Sequence, residues 1–235
     1  MGRRSQVENM KQEDGKMSQV FEEKLYHHQD MVKVGCKDCD RCSACCKSMG
    51  QSIVLNPWDI AQMTVNLNTS MTKLLSKGIV ELHVEDNMIL PNLSMCGEKE
   101  SCSFLDQNGR CSIHSFRPGI CRLFPLGRQY GEDEISYFLL EGACPKENKT
   151  KVKVKKWLDL PDLQEYEAFL MQWHSFCKEM KVYLTSLKET EWQKKWNLYV
   201  LQVCYLEPYK IGNDFYRQAE ERMKKIRVLY KREQA

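Results

Sequence analysis

The chain has 235 residues, 42% hydrophobic and 29% charged, with 35 basic side chains against 32 acidic ones. That length allows one or two domains whose core is large enough to fold without disulfide staples. A net charge of +3 creates no field that points to nucleic acid or to a membrane surface, so neither is expected as a partner.

The opening segment, MGRRSQVENMKQEDGKMSQ, is polar and mixed in charge, and lacks the apolar stretch of a secretory signal. Gly2 would suit myristoylation, but Gln6 stands where Ser or Thr is required. No run approaches a membrane span. A cytoplasmic location is therefore expected, and in a reducing compartment clustered cysteines serve as metal ligands or catalysts rather than disulfides.

Residues 1–20 read as a disordered lead-in, and Val20 to Val34 as a short helix carrying Phe21, Leu25 and Val32. Ile53-Val54-Leu55 is a short apolar run. Asn56-Pro57-Trp58-Asp59 reads as a helix start: Asn56 can cap, Pro57 suits the first position, and Asp59 favours the positive end of the dipole. A second helix is expected from Ser70 to Lys77, stopping at Gly78. Ile79–Val84 and Met88–Leu93 flank Glu85-Asp86-Asn87 as a hairpin, and Asn108-Gly109 is a strong turn between Cys102 and Cys111. Ile135–Leu140 offers another strand. Six lysines crowd Lys146–Lys156 with Val152 and Val154 alternating against them, which fits a solvated strand or linker face better than a nucleic-acid patch.

Beyond Trp157 the spacing turns helical. Leu163, Tyr166, Phe169, Leu170, Trp173, Phe176, Met180, Tyr183, Leu184 and Leu187 recur at three and four, with Asp162 and Glu165 as a capping box. Trp192, Trp196, Tyr199, Val200 and Val203 mark a second helix, and Phe215, Ala219, Met223, Ile226 and Tyr230 a third. The expected class is α+β, with a cysteine-rich half of short strands and loops followed by a helical half. The expected division is a lead-in over 1–34, a metal-binding cysteine domain over 35–156 and a helical region packing on it over 157–235.

Of twelve cysteines, Cys36, Cys39, Cys42, Cys45 and Cys46 fall within eleven residues. Two-residue gaps let successive thiolates converge on one soft centre, for which zinc and iron–sulfur are the common outcomes. Neighbouring side chains usually point apart, so Cys45 and Cys46 are expected to reach separate centres or two irons of one cluster. A second group follows at Cys102, Cys111, Arg117-Pro118-Gly119-Ile120-Cys121-Arg122-Leu123-Phe124-Pro125 and Cys144-Pro145.

Together these motifs, spanning Cys39 to Pro145, closely resemble the YkgJ-type cysteine-cluster family, whose CxxCxxCC domain is described as zinc- or iron-chelating. The resemblance implies a ligand set of Cys39, Cys42, Cys45, Cys46, Cys102, Cys111, Cys121 and Cys144, with Cys36 and Cys96 as extras. The family is distantly similar to flagellin lysine N-methylases, which are associated with a 4Fe–4S cluster and S-adenosylmethionine. That relationship, the surplus of thiols and the Cys-Pro step favour iron–sulfur, while spacing alone leaves zinc equally open.

Around the cysteines, Arg122 can hold an anionic cofactor such as the carboxylate of S-adenosylmethionine, or brace its own loop. Arg117 and His114 read as scaffold, and Cys177 and Cys204 as core thiols. Trp173, Trp192 and Trp196 sit at helical spacing and read as core rather than as a cleft lining. No glycine-rich phosphate loop, dinucleotide fingerprint, nucleophile elbow or HExxH motif is present, which excludes a Rossmann methyltransferase. The functional expectation is a 4Fe–4S protein with a redox or group-transfer role. Its alternatives are a cluster-dependent lysine N-methyltransferase acting on a protein substrate and a zinc-stapled, non-catalytic binding module.

Overall fold

Two strands far apart in sequence close the cysteine-rich segment into one long loop. The computed structural model describes residues 24–35, 42–98, 100–210 and 214–234. In it, β1 (Met31–Gly35) pairs antiparallel with β8 (Thr150–Lys153), Val32 opposite Val152. Val32 and Val34 are buried while Met31 and Lys33 face solvent. This corrects the helix expected to end at Val34. Alternating valines obey the two-residue period of a strand, and the partner that completes the ladder comes from the far end of the cysteine region. Residues 20–23 of that expectation lie outside the described residues. On β8, Lys151 and Lys153 are exposed about a half-buried Val152, as a solvated strand face requires.

The first two helices follow their sequence signals. α1 (Pro57–Asn66) starts in a complete capping box. The Asn56 side chain accepts from the Asp59 N–H at 3.0 Å, and the Asp59 carboxylate accepts from the Asn56 N–H at 2.9 Å. α2 (Met71–Ser76) is capped by Ser70 and released at Gly78, whose φ of +63° a side chain would strain. β2 (Val80–Glu85) and β3 (Met88–Leu93) form the expected hairpin. Its two-residue turn, Asp86-Asn87, holds both residues at positive φ, which matches the twist of the strands. The run Ile53–Leu55 lies along β3, with Leu55 N–H donating to the Pro91 carbonyl.

Three further elements carry the second cysteine group. β4 (Met95–Cys96) pairs with β5 (Ser101–Cys102), α3 (Gly119–Leu123) holds Cys121, and β6 (Leu126–Tyr130) pairs with β7 (Ile135–Leu139). After β8, α4 (Val154–Leu158) returns against α3, with Trp157 Nε1–H donating to the Phe124 carbonyl at 3.1 Å.

The helical half is built on α5 (Leu163–Ser186), whose Phe176, Met180 and Leu184 have no solvent exposure. Asp162 makes no capping bond to it. Its backbone sits at φ −112°, ψ 57°, away from the extended conformation that aims a cap side chain at the helix. α6 (Thr190–Leu201) runs into a π-helical turn, Gln202–Leu206, and α7 (Phe215–Gln234) packs back on α5. Arg222 of α7 donates to the Val203, Glu207 and Pro208 carbonyls and so satisfies the end of that turn. Glu179 on α5 takes a two-pronged bond from Arg227 on α7. Trp173 and Trp196 are buried as expected, but Trp192 is 44% exposed, with the Lys195 ammonium over its ring. It lies within the first turn of α6, before the helix meets the core.

The buried side chains form one cluster from Val32 to Tyr230, drawn from both halves of the chain. The architecture is α+β, with short strands in the cysteine-rich half and helices beyond it. Among the described residues no helix is long and apolar enough to cross a membrane.

Asn197 of α6 joins the halves: its side chain accepts from the Ile89 N–H at 2.7 Å and donates to the Asn87 carbonyl at 2.8 Å. Asn197→Ala leaves both backbone groups without a partner, and is expected to lower unfolding free energy by roughly 2 kcal/mol in urea titrations.

Candidate metal centre

Backbone pairings bring the cysteines together from four stretches of chain. Cys45 and Cys46 lie in a 3₁₀ turn, Ala44–Cys46. Lys47, the next residue, bridges Ser101, and Ser48 N–H donates to the Glu100 carbonyl, which sets this turn beside Cys102 on β5. The Asn108-Gly109 turn is organised by Asp106, whose carboxylate accepts from the Asn108 and Arg110 N–H groups at 2.8 Å each. Leu105 then bridges Cys111, so Cys111 returns next to Cys102. A second 3₁₀ turn, His114–Phe116, leads through Pro118 into α3 and Cys121.

Cys45, Cys46, Cys102, Cys111 and Cys121 are free thiols that act electrostatically on one another. Cys42 and Cys144 are free and half-buried, and neither is among the principal electrostatic partners of the five. Cys36 and Cys39 lie outside the described residues. Among those described, no three His, Cys, Asp or Glu side chains stand ready-placed around an ion. The donor chemistry nonetheless suits a soft metal, because the gathered groups are thiols and Cys46, Cys102, Cys111 and Cys121 are all only part-exposed.

The adjacent pair departs from the expectation that neighbours point apart. Cys45 Sγ and Cys46 Sγ are 4.0 Å apart, because the 3₁₀ turn and the left-handed Ser43 before it rotate both side chains to one side. The hydrogen bond between the two thiols brings Cys45 down to about 7 and pushes Cys46 far up. Burial raises Cys102 and Cys111. Burial, then the nearby Asp59 charge, raises Cys121. Without a cation, four of the five thiols are held in the protonated form.

Asp59 fixes the position of Cys121. Its carboxylate is 1% exposed, with one oxygen on the Asn56 N–H and the other on the Gly119 N–H at 2.7 Å, so α1 and α3 start from the same side chain. Burial raises this carboxyl to about 6, against the two backbone bonds that hold it down. Gly119 is obligatory here, since a Cβ would fall 1.9 Å from the Tyr166 hydroxyl. The sequence presented Asp59 only as a helix-start residue; its second partner comes from 60 residues away and left no local signal.

The arginines divide their work. Arg122 is 5% exposed and donates through Nε to the Arg117 carbonyl, through Nη1 to the Asp159 carbonyl and through Nη2 to the Ser115 carbonyl, at 3.1, 2.7 and 2.6 Å. Its fork ties α3 to the end of α4. Arg117 donates to the His114 carbonyl at 2.6 Å and to His114 Nδ1 at 3.2 Å, and its charge favours the Cys45 and Cys111 thiolates. Cys204 is buried, and Cys177 packs half-buried against the core, as apolar helix positions require.

Residues 38–145 match the model of the CxxCxxCC family, described as "Putative zinc- or iron-chelating domain". No curated protein and no solved structure matches the chain.

Two outcomes follow from these groups. The Asp59 carboxyl binds its proton more tightly in the folded protein, so its contribution to stability falls as pH rises from about 4 through about 6, by up to roughly 3 kcal/mol. Asp59→Asn should remove that slope from urea titrations run across this range. It should also cost more than about 1 kcal/mol at pH 5, because an amide offers only one oxygen to two N–H donors. In metal-free protein, alkylation mapped by mass spectrometry should label Cys45 before Cys102, Cys111 and Cys121, with a rate that rises through about pH 7.

Proposed function

We propose, since residues 38–145 match the model of the CxxCxxCC family, that the chain holds a metal centre on Cys45, Cys46, Cys102, Cys111 and Cys121. The family resemblance adds Cys39, Cys42 and Cys144 to the candidates from which a four-coordinate ion would draw its ligands. The observation that carries this reading is the convergence of five thiols from four stretches of chain. Each thiolate in such a group disfavours the next. A cation among them outweighs that repulsion, so the thiolate form of the group is favoured around a metal.

The spacing of the adjacent pair favours a centre built on one ion. A tetrahedral ion with thiolate arms of about 2.3 Å sets its sulfurs about 3.8 Å apart, close to the 4.0 Å between Cys45 and Cys46. In that form the metal staples the 3₁₀ turn, β5, the Cys111 turn and α3, which the surrounding chain holds by few backbone pairings. This is the zinc-stapled binding module, with mononuclear iron as its equivalent. The surplus of thiols supports a second reading, a 4Fe–4S cluster with a redox or group-transfer role. A lysine N-methyltransferase reading rests on the distant resemblance alone. Arg122, the candidate for the S-adenosylmethionine carboxylate, has its fork directed at three carbonyls, which supports its bracing role instead.

The test is metal and acid-labile sulfide analysis of the full chain purified anaerobically. Zinc or iron near one ion per chain without sulfide is the expected result. Brown protein with labile sulfide moves the assignment to the cluster, and metal-free protein overturns the proposal. Cys121→Ser should lose the metal and Cys177→Ser should keep it. Equal retention in both would show that the ligands lie elsewhere.

A further inference from the structure

Arg128, in the middle of β6, carries a charge without a close counter-ion. Among the described residues no carboxylate lies at ion-pair distance from it, its Nη1 donates only to the Tyr130 hydroxyl at 3.3 Å, and its Nε is buried with no partner. Buried donors are nearly always satisfied, and an exception calls for an explanation. A second orphan lies close by. The Tyr166 hydroxyl, in a residue 2% exposed, has no hydrogen-bond partner; Asn56 influences it without making a well-formed bond.

The two orphans lie within electrostatic reach of each other. Tyr166 is held over Gly119 so closely that any side chain there would collide with its oxygen, and Cys121 follows two residues later on α3. Asp59 also lies within reach, but both its oxygens are committed to backbone N–H groups, so it moderates the arginine's charge without pairing with it. The polar atoms left over are therefore donors: a guanidinium edge made of Nε and Nη2, and one phenol.

We propose that Arg128 and Tyr166 form a recognition site, beside the cysteine group, for the carboxylate of a small molecule. The Nε–Nη2 edge matches the two oxygens of a planar carboxylate, and the neutral phenol donates a third bond to one of them. One cation matches the charge of one monoanion. A phosphate dianion would face Asp59 with no second cation to offset it. The site is independent of which metal the cysteines hold, and its test does not depend on a metal being bound.

The test uses the full chain labelled with ¹⁵N at arginine Nε, titrated with acetate and, at matched ionic strength, with chloride. The Arg128 Nε–H resonance is expected to move saturably with acetate and not with chloride. Tyr166→Phe, which removes only the unpartnered oxygen, is expected to weaken acetate binding roughly tenfold. Magnetisation transfer from protein to the acetate methyl should vanish in Arg128→Gln, provided its circular dichroism matches the parent; Tyr166→Phe carries the test if that variant does not fold. An Arg128 resonance that stays put, responds equally to chloride, or titrates identically in Tyr166→Phe overturns the proposal. Tighter binding of inorganic phosphate than of acetate overturns the carboxylate assignment.

Discussion

The cysteine half is organised around one buried carboxylate shared by two helix starts. Asp59 completes the capping box of α1 and, with its second oxygen, accepts the first N–H of α3. Helix N-termini present unsatisfied donors, and a negative group there is worth more when it is shielded from water. The same burial makes the charge expensive, which is why the carboxyl titrates at about 6 rather than in the usual range. The strain is tolerated because α3 is only five residues long and cannot hold its own start by internal hydrogen bonds. Arg122 grips the other side of α3 through three carbonyls. Cys121, between these two anchors, has little freedom to move relative to the helical core.

The other thiols are positioned more lightly. Cys45 and Cys46 lie on a three-residue turn, Cys102 on a two-residue strand, and Cys111 at the end of a turn closed by Asp106. None of these elements has a hydrophobic face broad enough to order it. The β1–β8 pair fixes the two ends of the whole segment, and that lowers the entropy a metal would have to overcome in drawing the ligands together. A rigid anchor at α3 with three looser arms is the arrangement expected when the metal itself supplies part of the folding free energy.

Much of this was legible in the sequence where the signal is local. The α1 capping box, the α2 stop at Gly78, the Asp86-Asn87 hairpin and the apolar stripe of α5 each depend on residues within a few positions of one another. The failures are of the opposite kind. β1 is a strand because β8 arrives to pair with it, and five residues with two valines cannot announce a partner so distant. Asp162 and Glu165 have the letters of a capping box, but the chain enters α5 at the wrong backbone angle. Trp192 has the spacing of a core residue at a point where α6 has not yet reached the core. At the site, five of the eight cysteines that the resemblance implied act on one another, and the 4.0 Å approach of Cys45 and Cys46 goes with a left-handed residue at Ser43 that composition does not reveal.

Three arginines lie close together in sequence, and the structure gives them three different electrostatic duties. A divalent ion on four thiolates leaves a net charge of about −2, which a part-buried site must offset locally. Arg117 is the residue placed to do so, since it already favours the Cys45 and Cys111 thiolates and its hydrogen bonds to His114 hold it there. Arg122 is directed elsewhere, with Nε, Nη1 and Nη2 each donating to a carbonyl. Arg128 is farther along the chain, on β6, and among the described residues its buried Nε has no hydrogen-bond partner. Favouring nearby thiolates, bracing α3 and leaving one cation unsatisfied are separate tasks. The R-P-x2-C-R run accounts for the first two through Arg117 and Arg122, whereas the third falls on a residue outside the cysteine motif altogether.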